Sequence, residues 1–343
     1  MNFGGTIRLN RVGVCVIIGA CVLFLLYINT SSIDGQKTET GKSTDAVNLR
    51  KLLAAAIKVS KKGGDEVSAV KKGNDIDEKS KGNTIEGVKD PVTKADYNSH
   101  CVMYYSLTRF FPGVKIVSEE HKDESDCGTN VSIVGDFDDV KDAHGLDDHY
   151  VPAEDITVWI DPLDATKEFT EDKLKYVTTM VCIAVKGEPI IGVIHKPFDE
   201  PETYWAWRAK GNSKNLSYNK LSSTAANKII VSMSHAGAVK NVSEQAFGKN
   251  AEIIPAAGAG YKSIEVANGN VDAYVHITHI KKWDICAGDA IIQALGGKMT
   301  TLSNSKIDYS SSENYRNEKG LLATMEKHDW YLQKLNSVMK NLV

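Results

Sequence analysis

The chain has 343 residues, 42% of them hydrophobic and 25% charged, with a formal net charge of −3. That apolar content supports a sizeable core, in one two-lobed unit or two small domains. The near-balanced charge argues against a polyanion-binding surface, so a nucleic-acid polymer is disfavoured as a partner.

The first element is apolar. From Val12 to Ile28 the stretch VGVCVIIGACVLFLLYI carries no charge, and Arg8 and Arg11 precede it. It closes on Leu25, Leu26, Tyr27 and Ile28 with no small-x-small cleavage site, which favours an uncleaved signal anchor over a signal peptide. The sequence thus predicts a cytoplasmic tail over 1–11, a transmembrane helix over 12–28 and a lumenal stem over 29–43. As a helix the anchor spans about 25 Å, less than the roughly 30 Å of an average hydrocarbon core, which suits the thinner membranes of the early secretory pathway.

Beyond the stem, Leu49, Leu52, Leu53, Ala56 and Ile57 recur at helical spacing, with Ser43, Thr44 or Asp45 as possible caps. Residues 61–90 are rich in Lys, Gly, Asp and Asn and predict a mobile loop. A second helix is expected over 94–110, and VKIVSEE reads as a strand ending at Glu119 and Glu120. Residues 121–153 read as an acidic, irregular insertion. Strands follow at 156–161, 177–185 and 189–195, the last two joined by KGE, a hairpin signal. The N-terminal α+β lobe is placed at 44–220 and a C-terminal α/β lobe at 221–343. In the latter, KIIVS, EIIPA and DAYVHI alternate with helices at 262–268 and 285–295, a layered α/β pattern. Cys101, Cys127, Cys182 and Cys286 match no zinc-module spacing, and buried free thiols are expected for most of them. Sequons stand at Asn29, Asn130, Asn215 and Asn241.

The stretch ITVWIDPLDATKEFTE, residues 156–171, carries the chemistry. Pro162 lacks the N–H that a strand ladder needs, so the chain is expected to turn just after Asp161. Such a turn gathers Asp161, Asp164 and the Leu163 carbonyl, hard oxygen donors that suit Mg²⁺. Taken alone, Asp-Pro-x-Asp is also an ordinary polar turn. Likewise Asp284, in KKWDICAGDAII, has the position of a helix cap, and Gly258, Gly260 and Lys262 form a Gly-rich turn. Free amides there can hold a phosphate, although glycines also serve tight geometry. His276 and His279 near a strand end suggest a metal site, but the carboxylates already suit a harder ion.

Taken in order, DPVTKAD, SEE, DPLDAT, GAGYK and WDICAGDAI resemble the lithium-sensitive, magnesium-dependent inositol monophosphatase superfamily over roughly residues 45–325. Within it, DPLDATKEFTE, VSMSHAG, IPAAGAGYKS and HIKKWDICAGDAIIQALGGKMTTLS are similar to the Golgi branch of bisphosphate nucleotidases. Ala165 departs from many superfamily members, where Gly precedes the threonine, but resembles that branch. The resemblance implies a layered αβαβα sandwich of the inositol monophosphatase and fructose-1,6-bisphosphatase type, preceded by the one transmembrane helix. It implies two or three Mg²⁺ ions on Glu119, Asp161, the Leu163 carbonyl, Asp164 and Asp284, and a water activated by Thr166 with Asp96. Ser232, His235, Gly258 and Lys262 match substrate-binding positions, although His235 taken alone reads equally as a surface histidine.

The implied reaction removes the 3′-phosphate of 3′-phosphoadenosine 5′-phosphate, a by-product of sulfotransferases, to give AMP and phosphate in the Golgi lumen. The implied partners are that small nucleotide, the membrane through the anchor and, as one option, a second copy in a homodimer. Two alternatives stay open: the same chemistry on an inositol phosphate, and a tethered cation-binding protein without turnover.

Overall fold

A computed structural model describes residues 46–339, apart from 84–86, 88, 129–133, 136, 219–226 and 234–238. The expected tail, anchor and stem, the sequon at Asn130 and the candidate His235 lie outside these residues. Among the described residues no helix is long and apolar enough to cross a membrane. The described residues belong to one compact unit.

The elements follow the apolar pattern closely, with informative exceptions. A short strand β1 (Ala46–Asn48) leads into α1 (Leu49–Gly73), whose cap is Asn48: its side chain accepts from the Arg50 amide at 3.0 Å. The loop expected over 61–90 is a helix as far as Gly73. Its two glycines are contact points rather than breaks. A Cβ on Gly63 would lie 2.5 Å from Ser99 Oγ, and one on Gly64 would lie 2.5 Å from the His195 ring. Val67 and Val70 continue the buried stripe. After α1 come β2 (Lys79–Asn83) and β3 (Lys89–Val92), an antiparallel hairpin, then α2 (Lys94–Phe110) and β4 (Lys115–Ser118). The insertion is irregular where described, except for two 3₁₀ turns and β5 (Tyr150–Pro152), which pairs with β1.

Next are β6 (Ile156–Asp164), α3 (Thr166–Thr170), β7 (Thr178–Val185), β8 (Glu188–Lys196), β9 (Glu202–Trp207) and β10 (Gly211–Asn212). With β4 parallel to β6 and the rest antiparallel, they make a six-stranded sheet in the order β10-β9-β8-β7-β6-β4. A second, five-stranded sheet has the order β12-β11-β13-β17-β15, with the first three strands parallel. Its strands are β11 (Lys228–Ser232), β12 (Glu252–Ala256), β13 (Ala273–His276), β15 (Lys298–Thr300) and β17 (Leu321–Thr324). The ribbon β14 (Ile280–Lys281) with β16 (Arg316–Asn317) stands apart from both sheets. The remaining helices are α4 (Val239–Phe247), α5 (Ala259–Ala267), α6 (Lys282–Ala294) and α7 (His328–Met339).

Three apolar clusters set the layers. One lies between α1, α2 and the first sheet; a second, with Trp159, Tyr274, Ile285 and Ile291, lies between the sheets around α5 and α6; a third joins the second sheet to α4 and α7. The order is helix, sheet, helix, sheet, helix, because both faces of each sheet are apolar and must be covered.

The four described cysteines, expected as free thiols for the most part, are instead paired. Cys101 on α2 bonds Cys127, and Cys182 on β7 bonds Cys286 on α6, with Cα separations of 5.7 and 5.6 Å. Packing of α6 on β7 creates the second pair across 104 residues, a proximity that spacing along the chain does not encode.

The helical glycines give a test with opposite signs on one element. Gly63→Ala should destabilise by about 1–3 kcal/mol through overpacking against Ser99 and Met103. Gly73→Ala meets open space and should be neutral or gain up to about 1 kcal/mol. Urea denaturation reads both; equal effects would remove the packing explanation for α1.

Candidate active site

The acidic stretch begins with an irregularity. Strand β6 does not turn after Asp161; it stays paired with β7 through Asp164, with a register shift between the two carboxylates. The shift absorbs Pro162, and the Asp161 carboxylate accepts from the Leu163 amide at 3.1 Å. The Pro162 carbonyl accepts from Ser99 Oγ at 2.7 Å. The chain turns at Ala165, which holds φ 68° and ψ 44°, a left-handed conformation that glycine adopts without strain.

That turn starts α3 and places Thr166 beside α2. The Thr166 hydroxyl lies 2.9 Å from Asp96 Oδ1 and 3.1 Å from the Leu163 carbonyl. Asp96 closes a capping box: its other oxygen accepts from the Thr93 amide and hydroxyl, both at 2.7 Å. Burial pushes the Asp96 carboxyl up to about 7, against these hydrogen bonds. It is therefore a carboxylate that binds a proton readily near neutral pH.

Glu119, Asp161 and Asp284 each offer an oxygen within 4.8 Å of the others. Glu119 follows β4, with its amide bonded to the Ile160 carbonyl, while Asp284 sits in the first turn of α6 and accepts from the Lys281 amide at 3.1 Å. Burial raises the carboxyls of Asp161 and Asp284, and the neighbouring Glu119 charge adds to it; Asp284 reaches about 8. Glu119 goes the other way: burial would raise it, but Lys281 and Lys81 outweigh that. Both ammonium groups lie 3.0 Å from Glu119, and Lys81 also reaches Glu120 at 2.5 Å. The donor set is hard, crowded and short of positive charge, which fits a Mg²⁺-type ion.

Asp164 lies in the same cleft but faces the Gly-rich turn. Its Oδ2 accepts from the Gly260 amide at 2.8 Å and from Thr178 at 3.2 Å, so this amide is engaged rather than free for a phosphate. Gly258, at φ 67°, starts α5; a Cβ there would lie 2.5 Å from the Tyr176 carbonyl. Lys262 is buried and donates to the Gly258 carbonyl at 2.6 Å, and burial pulls its ammonium down to about 8. Ser232 ends β11 and lines the same cleft, whose volume is about 280 Å³. His276 and His279 line it too, but His276 bonds Thr278 at 3.0 Å and stands outside the converging carboxylates.

Several residues at or against the site escaped the sequence reading. Lys81 lay in the supposed loop. Lys281, three residues before Asp284, was open to inspection as a neutralising charge. Tyr274 on β13 reads as core, yet its fully buried hydroxyl has no hydrogen-bond partner among the described residues and it lines the cleft. An unmet buried hydroxyl costs about 1–3 kcal/mol. Tyr274→Phe should therefore raise the thermal midpoint of the ligand-free protein by a few degrees, about 2–4 °C per kcal/mol for a unit this size. A lowered midpoint would show that the hydroxyl has a partner in the ligand-free state.

Comparison with known proteins places this geometry. The sequence model of the inositol monophosphatase family matches residues 48–340. The chain is 45% identical to "Putative inositol monophosphatase 3" of Drosophila melanogaster, over 97% of this chain and 95% of that protein. It is 44% identical to "Golgi-resident adenosine 3',5'-bisphosphate 3'-phosphatase" of Rattus norvegicus, over 98% of each. Among solved structures, an inositol monophosphatase of Thermotoga maritima superposes with a TM-score of 0.61 at 22% identity, covering 84% of this chain and 97% of that one. CysQ of Bacteroides thetaiotaomicron gives 0.57 at 20%, covering 81% and 98%. With the family match running from α1 to the last helix and relatives at this identity along nearly the whole length, the chain belongs to the inositol monophosphatase family and is a phosphoric monoester hydrolase.

Proposed function

We propose that the enzyme removes the 3′-phosphate of adenosine 3′,5′-bisphosphate, giving AMP and phosphate, and that it works in the Golgi lumen, where clearing this nucleotide relieves product inhibition of sulfation. The observation that carries the chemistry is the Thr166–Asp96 hydrogen bond at 2.9 Å beside three converging carboxylates. Cation binding alone needs no such pair. The nucleotide substrate is supported by the name of the Rattus norvegicus relative; an inositol phosphate is the second reading, favoured by the name of the Drosophila melanogaster relative.

Glu119, Asp161, the Leu163 carbonyl, Asp164 and Asp284 would hold two or three Mg²⁺ ions. When bound, these supply positive charge against the phosphate and the departing oxygen. The protein's own part is to place and deprotonate water. Thr166 has a lone pair for the attacking water; as it takes the proton that the water gives up, it passes its own to Asp96. The water oxygen bonds to phosphorus as the bond to the ribose 3′-oxygen breaks; that oxygen takes a proton from solvent, and Asp96 returns to solvent the one it received. Lys262 and Ser232 border the path of the sugar and base. His235 is retained as a candidate contact.

Lumenal placement is supported by the arginines ahead of the apolar run and by the two disulfides, which persist in oxidising compartments. Asn215 and Asn241 are both exposed, but Asn215 lies outside helix and strand with Ser217 also exposed, whereas Asn241 sits within α4 with Ser243 buried, so of these two Asn215 is better presented to a glycosylating enzyme.

Asp161→Asn removes a central charge and should lower turnover at saturating Mg²⁺ by about 100-fold or more. Thr166→Ala should lose a comparable factor while Mg²⁺ affinity by calorimetry stays within about twofold, since the carboxylates remain. A parallel fall in affinity would make Thr166 part of the metal site instead. In a eukaryotic host, glycosidase should increase the gel mobility of the full-length protein, and Asn215→Gln should reduce or abolish that change. An unglycosylated chain that is digested in sealed vesicles would place the catalytic unit in the cytoplasm.

A further inference from the structure

Most cations lining the cleft already have partners. Lys281 pairs with Glu119 at 3.0 Å, Lys89 with Glu78 at 2.5 Å, Lys167 approaches Glu171 at 4.0 Å, and buried Lys262 donates to a carbonyl at 2.6 Å. Arg316 differs. It lines the cleft, is exposed, and its guanidinium has no ion pair or hydrogen bond among the described residues. Its one resolved contact is with the ring of Tyr315, 5.5 Å from the guanidinium carbon, and Tyr315 stacks flat on Trp283 at 5.0 Å and 13°. This contact steadies the cation without neutralising it.

The ribbon fixes where Arg316 points. In the antiparallel pair of β14 and β16, Arg316 stands directly opposite Lys281, and directly opposed residues project from the same face. Lys281 projects toward Glu119. Arg316 therefore leaves the ribbon on the same face as Lys281, whose ammonium reaches Glu119, and lines the cleft from the neighbouring strand.

We propose that Arg316 is a specificity-determining residue: its guanidinium binds a second phosphate on the substrate, one sugar's width from the phosphate that is cleaved, and so selects bisphosphates over monophosphates. The proposal rests on the phosphatase reading above and deepens it by assigning the residue that reads the second phosphate. An arginine suits the role because its planar fork takes a phosphate in two parallel hydrogen bonds and stays charged at every working pH.

The test compares adenosine 3′,5′-bisphosphate with 3′-AMP, which has the same scissile bond and lacks the 5′-phosphate. Arg316→Ala should lower the ratio of the two kcat/KM values by about tenfold, mainly through the KM of the bisphosphate. Arg316→Lys should restore part of the ratio, and Arg316→Glu should lower it further. In the unmodified enzyme, added KCl should raise the KM of the bisphosphate more steeply than that of 3′-AMP. An unchanged ratio in the variants, or equal salt slopes, overturns the assignment. If the enzyme cleaves inositol phosphates but neither nucleotide, the nucleotide reading fails. The same ratio measured on inositol 1,4-bisphosphate against inositol 1-phosphate then decides Arg316 separately: a selective loss sustains it and an equal loss ends it.

Discussion

Buried carboxylates repel one another, and the architecture around this cleft is organised by that repulsion. Glu119 after β4, Asp161 and Asp164 on β6, and Asp284 on α6 meet where water is largely excluded, so their charged forms need either positive charge or donated hydrogen bonds. Each receives something. Lys81 and Lys281 hold Glu119; the Gly260 amide, Thr178 and buried Lys262 serve Asp164; Asp161 takes the Leu163 amide and Asp284 the Lys281 amide. These contacts fall short for Asp161, Asp164 and Asp284, whose carboxyls all remain raised by burial. That deficit fits the cluster to a hard cation rather than to a polar corner of the core.

The supporting structure keeps the carboxylates from drifting apart. The register shift in β6 lets Pro162 pass without ending the strand, so Asp161 and Asp164 are both anchored to β7. Helix α6, which carries Asp284, lies on the same sheet and is tied to β7 by the Cys182–Cys286 bond two residues further on. A Cβ on Gly192 of β8 would come within 2.1 Å of the Ala287 carbonyl, so the helix is seated against bare backbone at that point. On the opposite face, α2 brings Asp96 to Thr166 by the same capping interaction that begins the helix. One hydrogen-bond pattern serves both fold and chemistry.

Much of this was legible in the sequence because it depends on local pattern. Strands β6, β7 and β8 are apolar runs bounded by turn residues, and Lys186-Gly187, both at positive φ, make the hairpin that KGE signals. The rest depended on contacts distant in sequence. Gly63 and Gly64 read as breakers because their value is proximity to Ser99 and His195, which no window around them contains. The disulfides and Lys81 were missed for the same reason. Ala165 shows the converse: the family's usual glycine there has its cause in the left-handed turn at φ 68°, which this chain tolerates with alanine. Arg316 and Tyr274 carried no signal, since an exposed arginine and a buried tyrosine are ordinary until their missing partners are seen in three dimensions.

The central claim is that the converging carboxylates are a site for a hard divalent cation. Anomalous diffraction from crystals grown with Mn²⁺, which accepts the same oxygen ligands, tests it most directly. The account predicts a peak among Glu119, Asp161 and Asp284, about 2–2.5 Å from their oxygens, with the Lys81 ammonium moved off Glu119. A fully occupied Mn²⁺ elsewhere, with Lys81 and Lys281 still seated on Glu119, would contradict it.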